Sequence, residues 1–77
     1  MSGSDSKDRQ FATTLASGID LLLCFHAGEL SLANKDFAER TGLSRPTVAR
    51  LTHTLTVLGY LRRDAATARY RLGAAVL

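Results

Sequence analysis

A chain of 77 residues buries only about 60% of the surface it exposes when unfolded, so it builds one small domain and excludes a large catalytic fold. Hydrophobic residues at 45% and charged residues at 22% are the proportions of a packed domain, and the single cysteine, Cys24, excludes a disulfide scaffold and points to a reducing compartment, the cytoplasm. The formal charge of +3 is uneven. Residues 1–39 set Lys7, Arg9 and Lys35 against Asp5, Asp8, Asp20, Glu29, Asp36 and Glu39, a net of −3. Residues 40–77 set Arg40, Arg45, Arg50, Arg62, Arg63, Arg69 and Arg71 against Asp64 alone, a net of +6. An arginine-only surplus confined to one half suggests a polyanionic partner.

Residues 1–10 mix serine, glycine and charge without period and read as a disordered tail with no secretory signal. From Phe11 the apolar residues Leu15, Ile19, Leu22 and Phe25 follow at helical steps, predicting a helix to about residue 27 closed by Gly28. Its longest apolar run, residues 21–25, is too short to cross a bilayer, so no membrane association is expected. Residues 29–33 read as an extended connection. Asn34 is then placed as the cap of a short second helix over 35–41, with Asp36 in its first turn, Phe37 and Ala38 inward, and Gly42 ending it. Ser44 caps a third helix over 45–58, with Pro46 in the first turn and Val48, Leu51, Leu55 and Leu58 as the buried stripe. Gly59 ends it. Residues 60–64 and 69–72 are rich in strand formers and read as a hairpin, the turn between them lacking both glycine and asparagine. Residues 73–77 read as the start of a further segment.

The third helix turns Pro46, Ala49, Arg50, His53 and Val57 away from its apolar stripe, flanked by Thr47 and Thr54, with no acid among them. Arg45 at the positive end of the helix dipole is unfavourable unless an anion lies near. A short helix, a glycine turn and a second amphipathic helix form a helix-turn-helix, whose second helix enters the DNA major groove. Arg45 and Arg50 have the fork geometry for guanine or phosphate, and Ser44, Thr47 and the free first-turn N–H groups suit phosphate. The hairpin is then a wing, with Arg62, Arg63, Arg69 and Arg71 beside the backbone or in a minor groove. The fold class is mainly α with a small β-hairpin, a winged helix-turn-helix.

These residues resemble the N-terminal DNA-binding domain of IclR-type transcriptional regulators, over residues 11–77. FATTLASGIDLLLCF resembles the first helix, FAERTGLSRPTVARLTHTL the helix-turn-helix, LGYL the turn into the wing, and RYRLG the second wing strand leading to a linker helix. The resemblance implies a winged domain over 11–72, and over 73–77 the start of a linker to a C-terminal domain that binds a small-molecule effector and is absent from these residues. It also implies a homodimer on a palindromic double-stranded operator, and the apolar first helix and the unfinished linker segment after Gly73 suggest the surface through which a dimer, or a higher oligomer, forms. Carried over by position, it puts Arg45, Thr47 and Arg50 on DNA and Arg69 on the wing. A phosphate contact carries no sequence information, so loss of Arg69 is expected to weaken all sequences alike. Ala49 departs from the family pattern, where many relatives carry a larger side chain. The expected DNA-binding set is Ser44, Arg45, Pro46, Thr47, Ala49, Arg50, His53, Thr54, Arg63, Arg69 and Arg71.

Cys24 reads as a core residue, and His26 and His53 lack the clustered cysteine or carboxylate of a zinc site. No glycine-rich phosphate loop or nucleophile elbow is present, so neither an enzyme nor a cofactor is expected. The rival reading is a winged helix used for protein contact. The recognition face lacks the exposed aromatic and methionine residues such a surface favours.

Overall fold

Three helices, α1 (Ser2–Leu22), α2 (Asn34–Thr41) and α3 (Arg45–Val57), precede an antiparallel hairpin of β1 (Leu61–Asp64) and β2 (Arg69–Leu72) and a 3-10 turn over Ala74–Val76. The computed structural model describes residues 2–76, with side chains over 9–76. Met1 and Leu77 lie outside the described residues.

Helix α1 differs from expectation at both ends. It begins at Ser2, within the segment read as a disordered tail, because residues 4–17 contain neither glycine nor proline and each residue added to an existing helix gains a hydrogen bond. It ends at Leu22 rather than near residue 27. Past it, the Cys24 N–H turns to the Leu21 carbonyl at 3.1 Å, and the Cys24 carbonyl accepts from Arg40 Nη1 at 2.8 Å. An arginine from another helix thus satisfies a carbonyl that helix geometry leaves open. Gly28, at φ 87°, serves a later turn closed by the Glu29 N–H on the His26 carbonyl.

The core is centred on Phe37 of α2, fully buried, with Phe25 and Tyr70 meeting its ring edge-to-face at centroid distances of 5.8 and 6.2 Å. Leu21, Leu32, Val48 and Leu61 complete it, with Cys24 buried as expected. The stripe predicted for α1 is only partly the buried one. Leu22 and Phe25 pack on the core, but Phe11 is 74% and Leu15 56% exposed, because the first half of α1 extends beyond the other elements. In α3, Val48 is buried and Leu51 and Leu55 are partly buried, whereas Leu58 is 59% exposed because α3 ends at Val57 and Leu58 follows as its C-cap. Thr52 takes the remaining buried place. Its hydroxyl donates to the Val48 carbonyl at 2.9 Å and lies 3.1 Å from the Asn34 amide oxygen.

That contact explains why Asn34 is not the cap of α2. The cap position falls on Ala33, which has no side-chain acceptor, and Asp36 reaches back to accept from the Ala33 N–H at 2.9 Å. The connection before α2 is extended as expected, and it joins the hairpin: Leu32 and Tyr70 exchange backbone hydrogen bonds of 2.9 and 2.7 Å. Within the hairpin Leu61 faces Leu72, Arg62 faces Arg71, Arg63 faces Tyr70 and Asp64 faces Arg69. The turn closes without glycine because Asp64 accepts from the Ala66 N–H through its carboxylate and from the Ala68 N–H through its carbonyl, with Ala68 in the left-handed region at φ 58°.

Candidate nucleic-acid interface

The turn between α2 and α3 is set by two residues. Gly42 adopts φ 76° and returns its N–H to the Ala38 carbonyl at 2.9 Å, which ends α2 in the left-handed conformation glycine adopts freely. Ser44 then caps α3. Its hydroxyl oxygen accepts from the Thr47 N–H at 3.4 Å, and the hydroxyl donates to Thr47 Oγ1 at 2.9 Å, leaving the Thr47 hydroxyl proton free to point outward. Arg45 and Pro46 open the helix, where the proline's missing N–H costs nothing.

Burial of Val48 and Thr52 against the core fixes the rotation of α3. The opposite face presents Arg45, Pro46, Ala49, Arg50 and His53, all exposed. Thr47 is half-buried beside them. Thr54 is exposed at the border of this face, its hydroxyl donating to the Arg50 carbonyl at 3.0 Å. Neither Arg45 nor Arg50 pairs with a described carboxylate. The face offers two guanidinium groups, small neighbours that permit close approach, and at the helix start the Thr47 hydroxyl and the Arg45 N–H, the first-turn N–H that neither the cap nor the proline takes up, a combination suited to an anionic surface.

The wing arginines separate into three situations. Arg62 and Arg71 lie directly opposite each other and are exposed, with no described carboxylate between them. Arg63 is exposed on the other face of the hairpin, across from Tyr70. Arg69 instead turns back into the chain, its Nε donating to the Ser31 hydroxyl at 2.9 Å and its Nη2 to the Ser31 carbonyl at 3.0 Å. Arg62 was expected on the wing with the other three but stands outside the DNA-binding set drawn from the sequence. Strand alternation pairs it with a partner only once the register is known, and a turn without glycine or asparagine leaves the register open.

Arg40, counted in the basic half of the chain, does not join this surface. Its guanidinium grips Glu29 through two bonds of 2.6 and 2.7 Å. That grip, aided by the His26 N–H, holds the Glu29 carboxyl down at about 2 and raises the Arg40 pKa in turn. Burial pushes the Cys24 thiol up, and the thiol donates to the Asp20 carbonyl. No group of three or more His, Cys, Asp or Glu placed to hold a metal occurs among the described residues. No helix among them is long and apolar enough to cross a membrane.

A three-helix domain with a two-stranded hairpin following a capped, acid-free helix is a winged helix-turn-helix. The IclR helix-turn-helix domain matches residues 14–65. The chain belongs to this family, that of DNA-binding helix-turn-helix domains of transcriptional regulators. It is 48% identical over 64 residues to the HTH-type transcriptional regulator TsaQ1/TsaQ2 of Comamonas testosteroni, covering 83% of this chain and 23% of that protein. An IclR family transcriptional regulator from Brucella abortus superimposes with a TM-score of 0.83 at 49% identity, over 99% of this chain and 29% of that one. An IclR-family regulator from Rhodococcus sp. does so with 0.76 at 32% identity, over 86% and 26%. The chain thus spans about a quarter of the length of these relatives.

Proposed function

We propose that this domain binds double-stranded DNA sequence-specifically in the cytoplasm, with α3 in the major groove and the hairpin as the wing. The observation that carries the reading is the outward face of α3, where Arg45 and Arg50 flank the small Ala49 without a described carboxylate to occupy either. Arg50, Ala49, His53 and Thr54 face base edges, while Ser44, Arg45, Pro46 and Thr47 meet the phosphates at the helix start. Arg63 and Arg71 bring the wing to the neighbouring backbone. In the complete regulator, two copies joined through α1 and a linker beginning near residue 73 read a palindromic operator, and a further domain binds a small-molecule effector. Half-sites read on one face of the duplex lie about 34–36 Å apart.

Fluorescence anisotropy of a labelled random duplex across a salt series tests this. The logarithm of affinity should fall linearly with the logarithm of salt, with a slope of about −0.9 for each phosphate neutralised. A chain that fails to bind duplex DNA at low salt does not have this function. Sequences selected from a random library then define the site. On that site Arg50→Ala should cost about 1–3 kcal/mol, with a much smaller loss on random duplex.

A further inference from the structure

Arg69 stands on the hairpin face that also carries Arg62 and Arg71, yet its guanidinium is committed elsewhere. Nε and Nη2, one edge of the planar fork, bind the hydroxyl and the carbonyl of Ser31, and Nη2 lies 3.7 Å from Asp36 Oδ2. The same carboxylate oxygen accepts the Ala33 N–H that opens α2. Between Ser31 and Ala33, Leu32 is hydrogen-bonded to Tyr70, the residue after Arg69. One guanidinium therefore ties the second wing strand to the connection before α2 and to the first turn of α2 itself. Turning it out to a phosphate would strip a donor from the part-buried Ser31 carbonyl and a counter-charge from Asp36. Arg62 and Arg71 have no such commitment. Like charges set directly across two strands repel, and an anion between them removes the repulsion.

We propose that Arg69 is a positioning residue which, through Ser31 and Asp36, fixes the angle of the wing to the helix-turn-helix, and that the opposed pair Arg62 and Arg71 is a phosphate-binding site on the face of the wing away from Arg63. This rests on the DNA-binding reading above. It reverses the sign expected for two changes. If Arg69 touched phosphate, freeing it from Asp36 would leave binding unchanged or tighten it, since a negative charge near the DNA would also vanish. A positioning role requires the opposite.

The test measures binding of the 77-residue chain to one duplex at fixed salt, with thermal melts confirming that each variant is folded at the assay temperature. Asp36→Asn keeps an oxygen for the Ala33 N–H while removing the charge, and Ser31→Ala removes one acceptor. Both should weaken binding several-fold. Arg69→Lys should bind as weakly as Arg69→Ala, because an ammonium cannot span the two Ser31 acceptors, whereas a phosphate contact would be largely kept by lysine. Arg62→Ala and Arg71→Ala should each cost about tenfold in the parent chain but less than about twofold in the Asp36→Asn chain, where the wing is no longer held. Unchanged or tighter binding by Asp36→Asn, with Arg69→Lys near the parent, would overturn the proposal while leaving the DNA-binding reading intact. A parent chain that binds no duplex overturns both. Should Arg69→Ala fail to fold, the Asp36 and Ser31 variants decide the matter alone.

Discussion

Glu29 and Arg40 lie 11 positions apart in the sequence and meet through two short hydrogen bonds that also brace the end of α1. A carboxyl lowered on folding stabilises the protein above its unfolded value, near 4.5 here, and that contribution is lost as pH falls toward about 2. Glu29→Gln should therefore lower the melting temperature most above about pH 5, and the gap from the parent should close near about pH 2. A gap independent of pH would show that the charge is not what matters. At the other end of the chain, Ala68 holds a left-handed conformation at φ 58° that costs a residue bearing a Cβ about 1–2 kcal/mol. Ala68→Gly should raise stability by up to about 1 kcal/mol, the gain being trimmed by glycine's larger unfolded entropy, and a melt would record it as several degrees. The outward recognition-helix side chains were legible in the sequence, because helical period alone turns Arg45, Arg50 and His53 away from Val48. The commitments of Arg40 and Arg69 were not. Both depend on a carboxylate or carbonyl brought close by the fold, and an arginine carries no local sign of which acceptor it will find.

Helices α2 and α3 were nearly complete in the sequence because the signals that end one and start the other are local: Gly42 in the left-handed region, Ser44 accepting from the Thr47 N–H, Pro46 in the first turn. Ser44→Ala removes that cap and should cost about 1 kcal/mol in a denaturant titration. The end of α1 was misplaced because its terminating partner, Arg40, sits on another element. The wing has a comparable joint at its base. The Gly73 N–H donates to the Tyr60 carbonyl at 2.8 Å, and a Cβ on Gly73 would stand only 2.2 Å from the Gly59 carbonyl oxygen. Gly73→Ala must push the two ends of the hairpin apart and should destabilise by about 1–3 kcal/mol. Since α3 stops just before Gly59 and the 3-10 turn follows Gly73, this contact also sets the direction in which the chain leaves the recognition helix.

At the scale of the molecule, the long axis of 46 Å against 24 and 23 Å reflects the first half of α1 standing clear of the core. Between α1 and α3 lies a groove of roughly 600 Å³ lined by Phe11, Leu15, Ile19, Leu51, Leu55 and Leu58, apolar residues that a single copy leaves wet. Under the proposed dimer this groove is the contact between copies. Sedimentation at tens of micromolar should then show a dimer that Leu15→Glu returns to monomer, with affinity lost on paired half-sites and kept on a single one. A monomeric parent would assign dimerisation to residues beyond these.

By itself the sequence determined the succession of helix, turn, capped helix and hairpin, and the face of α3 turned outward. Helical period, capping side chains and a glycine's left-handed freedom all act within a few residues. The tertiary structure alone decided which arginines remain open. Of the seven in residues 40–77, five are without a described carboxylate once Arg40 is held by Glu29 and Arg69 lies beside Asp36. It also decided that Leu21 of α1 and Cys24 just beyond it are buried, rather than Phe11 and Leu15. Both outcomes depend on what packs against what. A guanidinium or an apolar stripe has the same local pattern whether its partner lies within the chain, on another copy or on DNA.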